Sequence, residues 1–206
     1  MDITTLITVF VILIFSAIVH EVCHGLMAEK LGDDTAREQG RITLNPIPHI
    51  DPYGSILLPL LLLAVHSPIV FGAAKPVPVN FDNLRPRRWG MALVSLAGPL
   101  SNFALAILFT AIIRLNLANT IAYPILVEAI LINVILGTFN LIPIPPLDGS
   151  KILASFLPEN WWPKLFAWER WGFLIVIIFL YLGLLDLILY PVLNVFSRVS
   201  GINFGL

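Results

Sequence analysis

Apolar positions run through this chain in blocks too long and too unbroken to be the one-sided stripe of a surface helix. Residues 3–19 carry no charge, and the apolar pattern continues past His20, Glu21 and His24 to Ala28. Residues 89–113 form a second uncharged run of 25 residues. Residues 129–147 form a third, extending back to Ala122, and residues 171–185 a fourth that passes Asp186 towards Ser197. A helix needs about 20 apolar residues to cross a hydrocarbon core. The pattern therefore predicts membrane-spanning helices near 3–30, 89–114, 121–147 and 171–197. Residues 52–74 are also uncharged, but Pro59, Ser67 and Pro68 interrupt them. The flanking stretches, RITLNPIPHIDPY at 41–53 and GAAKPVPVNF at 72–81, are too rich in proline for helix. Region 41–81 thus reads as short extended or β pieces around a re-entrant segment. No repeat or linker divides the chain, so residues 1–206 read as one all-α membrane domain with about four spans.

Composition supports this picture and removes alternatives. Hydrophobic residues make up 58 % of the chain and charged residues 12 %, against about 25 % charged in soluble domains. Mean hydropathy is +0.90. The lipid bilayer is the implied environment. A net charge of −1 leaves no basic stripe, so nucleic acid is not an expected partner. The lone Cys23 has no partner for an internal disulfide and reads as packing. Asp2, the lack of a basic residue ahead of the first run and the absence of a small-residue cleavage pattern argue for a permanent helix rather than a signal peptide.

The chemistry sits at the end of the first run. His20-Glu21-Val22-Cys23-His24 is an HExxH motif. Positions i and i+4 share a helix face, so both imidazoles can reach one ion, with Glu21 beside it as general base. Three ionisable groups on a membrane helix read as functional by default. A catalytic zinc takes three protein ligands and keeps one position open. His49, His66 and acidic side chains are candidates for the third. Asp148 is favoured, because Pro143, Pro145 and Pro146 break the helix before it, and irregular backbone at membrane depth needs a covered site. The competing role for Asp148 is a helix N-cap.

HExxH on an early apolar helix, followed by Asn140-x-x-Pro143-x-Pro145-x-Leu147-Asp148-Gly149, resembles the site-2 protease family of intramembrane zinc metalloproteases. Residues 97–102, AGPLSN, resemble the helix between the two motifs in many bacterial members. The resemblance implies one Zn2+ ion, a transmembrane protein substrate, cleavage in or near its membrane segment, and a regulatory role in a prokaryotic cell membrane. Without a PDZ or CBS domain, the chain resembles the minimal bacterial or archaeal type.

Asn102 and Asn140 lie inside apolar runs. They read either as interhelical hydrogen-bonding groups or as substrate-binding residues beside the zinc. Trp161, Trp162, Trp168 and Trp171 read as an interfacial aromatic belt. A different class of function, a membrane metal-binding or transport protein, would use the same ligands but has no need of a base at Glu21.

Charge fixes an expected topology. With 52–74 re-entrant, Lys and Arg divide ten to two across the membrane; with 52–74 crossing, seven to five. The biased arrangement obeys the positive-inside rule. It places the N-terminus outside and the active site near the cytoplasmic face.

Overall fold

The computed structural model describes residues 2–51, 57, 75–202 and 204, and among these no strand forms. Helix α1 (Ile3–Lys30) begins where the Asp2 carboxylate accepts the Thr5 N–H at 2.8 Å, and ends with Lys30 in its last turn. A single turn of helix, α2 (Thr35–Glu38), follows. Helices α3 (Arg87–Arg114) and α4 (Ala122–Asn140) are, with α1, long and apolar enough to cross a membrane. Then come α5 (Asp148–Phe156), α6 (Trp162–Ala167), α7 (Glu169–Tyr181) and α8 (Asp186–Ser200).

Helix α3 is the hub, packing against α1, α4 and α5; α4 also meets α1 and α8. Ala106, Ile130, Val134 and Leu193 close the apolar seam between α3, α4 and α8. The polarity is inverted relative to a soluble bundle. Phe10, Val11, Leu100, Ile107 and Leu108 are exposed, while Ser16, Asn102 and Asn133 are buried at the helix contacts. In water each exposed Å² would cost about 25 cal/mol; against lipid that cost vanishes, and buried polar pairs become the specific contacts.

Several expected boundaries move. The helix expected over 121–147 ends at Asn140, and a turn carries the chain to Leu147 before α5. The helix expected over 171–197 is two, α7 and α8, because Gly183 takes a left-handed φ of +67°. No strand edge forms from residue 41 to 51; these residues bend and wind into a 3-10 turn, Ile47–His49. Trp162 does not belong to an exposed belt. It is buried against Met91 and Ala154, and its indole N–H donates to the Ala154 carbonyl at 2.7 Å. Trp161, Trp168 and Trp171 are exposed. The expected re-entrant segment 52–74 and His66 lie outside the described residues. Residues 49 and 75 meet, for the Lys75 N–H donates to the His49 carbonyl at 2.9 Å.

Candidate metal centre

One helical turn separates His20 from His24 on α1, and both imidazoles are buried against α3. Asp148 reaches them from the first turn of α5. Gly149 makes that approach possible: a methyl group there would lie 2.3 Å from the Leu141 carbonyl oxygen and 2.4 Å from that of Ile142. Asp148 Oδ2 sits 3.1 Å from His20 Nε2 and 3.2 Å from His24 Nε2. The three ligand atoms all lie within 4.8 Å of one another.

The hydrogen bonds behind the rings decide what those atoms can do. Asn102 Nδ2 donates to Asn133 Oδ1 at 2.9 Å and to the Ser16 carbonyl at 3.3 Å. Its Oδ1 must therefore be the atom facing His20 Nδ1, 2.6 Å away, so that nitrogen carries the proton. His24 Nδ1 likewise donates to the Val94 carbonyl at 2.7 Å. In a neutral imidazole the proton on one nitrogen leaves a lone pair on the other. With both rings neutral, both Nε2 atoms and the carboxylate oxygen point lone pairs into one small space. Three convergent acceptors are unfavourable unless a cation sits among them.

Close approach of α3 to the two rings depends on Gly98. A methyl group at Gly98 on α3 would lie 2.4 Å from His24 Nε2 and 2.5 Å from His20 Nε2. Only hydrogen at this position leaves both imidazoles where they are, because a methyl group would clash with their inner edges. Two imidazoles and one carboxylate suit a divalent transition ion with an open position.

Glu21 faces a cavity of about 190 Å³ shared with His24, Asp148, Ser95, Lys151 and the stretch from Pro76 to Phe81. Its Oε2 accepts the Val77 N–H at 2.7 Å. That stretch is pinned at both ends. Arg41 donates to the Lys75 carbonyl at 2.8 Å and to that of Pro76 at 3.2 Å. Asp33 accepts from the Asn80 N–H at 2.7 Å, from Asn83 Nδ2 at 2.8 Å and from the Thr35 hydroxyl at 2.5 Å. Burial pushes the Asp33 carboxyl up, but these hydrogen bonds outweigh it and hold the group below the usual carboxylate range.

The structure brings His20, Glu21, His24 and Asp148 together. The Asn102 amide is spent on protein partners behind His20. Asn140 Nδ2 donates to the Leu136 carbonyl at 3.0 Å, and the residue does not line the cavity. His49 Nε2 contacts the Thr43 carbonyl at 2.9 Å, away from the cluster. Sequence reasoning missed Gly98, Val77 and the supporting pair Ser16 and Asn133. The available signals were a Gly-Pro pair inside an apolar helix and isolated polar residues in apolar runs.

The profile of peptidase family M50 matches residues 113–182. YwhC of Bacillus subtilis, described as a candidate zinc metalloprotease, is 38 % identical over 193 residues, covering 88 % of this chain and 84 % of its own. Rip2 of Mycolicibacterium smegmatis, described in the same way, is 29 % identical over 192 residues, covering 92 % and 73 %. Zinc metalloprotease MJ0392 of Methanocaldococcus jannaschii is 28 % identical over 152 residues, covering 74 % of this chain and 35 % of its own. No solved structure matches.

Proposed function

The chain belongs to peptidase family M50, and we propose that it is an intramembrane zinc endopeptidase, with His20, His24 and Asp148 as the ligands and Glu21 as the general base. The observation that carries this reading is the convergence of His20 Nε2, His24 Nε2 and Asp148 Oδ2 beside the cavity that Glu21 faces, with both Nδ1 atoms held by other acceptors. When bound, zinc supplies a Lewis acid that acidifies water and polarises a carbonyl.

The chain's own groups do the rest. Asn102 and the Val94 carbonyl hold the two rings in the ligating tautomer. The Val77 N–H holds one oxygen of Glu21, which orients the carboxylate toward the cavity. Glu21 takes the proton from the attacking water and delivers it to the leaving nitrogen. The substrate is a transmembrane segment unwound to extended backbone, because an intact helix ties its carbonyls into its own hydrogen bonds.

The ten-to-two distribution of Lys and Arg supports a cytoplasmic site. The meeting of residues 33, 80 and 83 brings both flanks of segment 52–74 together, which supports the re-entrant path that this distribution assumes. Single-cysteine labelling at Asp34 and Asn83 in a Cys23→Ser background should occur from the cytoplasmic side alone; labelling from opposite sides contradicts this orientation.

The function is tested with Glu21→Gln. The variant should keep its zinc and cleave a model transmembrane substrate at least ~10²–10⁴-fold more slowly, the usual contribution of a general base. Undiminished cleavage would overturn the mechanism.

A further inference from the structure

The two oxygens of Asp148 face different neighbours. Oδ2 lies between the histidine Nε2 atoms at 3.1 and 3.2 Å. Oδ1 faces the ammonium of Lys151 at 3.7 Å. Lys151 lies three residues further along α5, so its side chain and that of Asp148 share one helix face. The side chain is 26 % exposed and lines the cavity with Glu21 and His24. Among the described residues, Lys151 is the one cation within 4 Å of Asp148 Oδ1.

A carboxylate beside a divalent ion can give it one oxygen or two. The second oxygen would occupy the position that a hydrolytic site must keep open. A positive charge 3.7 Å from the far oxygen opposes that swing, because turning Oδ1 onto the ion gives up this attraction. Lys suits this role because its ammonium is a compact charge with three donors on a flexible stem.

We infer that Lys151 is a positioning residue that holds Asp148 to one metal-facing oxygen, keeping the centre four-coordinate with one exchangeable position. This rests on the assignment of His20, His24 and Asp148 as ligands, and predicts a change in the metal centre even when no substrate is present.

The test is Co2+ loading of the purified full chain in detergent, read by visible absorption. Four-coordinate Co2+ absorbs several-fold more strongly than five-coordinate Co2+. Wild type and Lys151→Arg should both give the intense four-coordinate bands. Lys151→Met should bind Co2+ with bands several-fold weaker. Lys151→Gln is read in the same way and covers the case in which Lys151→Met fails to fold. Wild-type bands in either neutral variant, or weak bands in Lys151→Arg, would overturn the inference. Failure of the underlying ligand assignment looks different: the wild type itself would show no Co2+ bands, or bands unchanged by His24→Ala.

Discussion

Among the described residues two aspartates are buried, Asp33 with no exposed surface and Asp148 at 7 %, and their surroundings differ in kind. Asp33 is met by a hydroxyl, a backbone N–H and a side-chain amide, each bringing a hydrogen. It is complete as it stands, and its work is to tie the Asn80–Asn83 turn to the end of α1. Asp148 Oδ2 is met by two ring nitrogens whose protons are committed elsewhere, to Asn102 and to the Val94 carbonyl. In the proposed reading a cation completes it. Burial is shared by both groups. What separates them is that Asp33 is met by three hydrogen-bond donors of the protein, whereas Asp148 Oδ2 is met by two ring nitrogens.

The most severe way to break the comparison is to crowd the two histidine rings. Gly98→Ala should leave the helical content intact while stoichiometric zinc and cleavage are both lost, since the methyl would push both histidine rings out of place. Metal analysis and circular dichroism on one sample check this; a variant with full zinc would show that the ion sits elsewhere.

A smaller effect is expected one shell out. Asn102→Ala removes the acceptor that orients His20 and should weaken zinc binding by about 10–100-fold, the usual cost of losing such a partner. Competition with a graded chelator measures it. An unchanged affinity would mean that ring orientation is set by packing alone.

The smallest effect belongs to the structural carboxylate. Asp33→Asn should keep full zinc and lower thermal stability by about 1–3 kcal/mol, because donors that faced a carboxylate would face an amide. The difference depends on pH with a defined sign. The folded-state pKa of Asp33 lies below 3.8, so its contribution is present above that value. As pH falls through the folded pKa the contribution is lost, and the melting curves of wild type and Asp33→Asn should converge. A gap between them that stayed constant into acid would contradict the hydrogen-bond account.

Helical spacing made His20, Glu21 and His24 legible, because positions on one face follow from 3.6 residues per turn. Asp148 was legible because prolines at membrane depth imply a built turn. Asn102 stood out as polar in an apolar run, but its partner depends on how α1 crosses α3, which periodicity does not encode. Gly98 acts by the absence of a side chain, a role visible only once the histidines are placed around it. The break at Gly183 was hidden by apolar residues on both sides, and burial of Trp162 by the likeness of interfacial and core tryptophans in sequence.

The central claim is that Asp148, and not its buried counterpart, completes a zinc site. The direct measurement is zinc content per chain for the wild type, Asp148→Asn and Asp33→Asn, purified side by side. One zinc per chain is expected in the wild type and in Asp33→Asn, with none retained in Asp148→Asn. Full zinc in Asp148→Asn would contradict it.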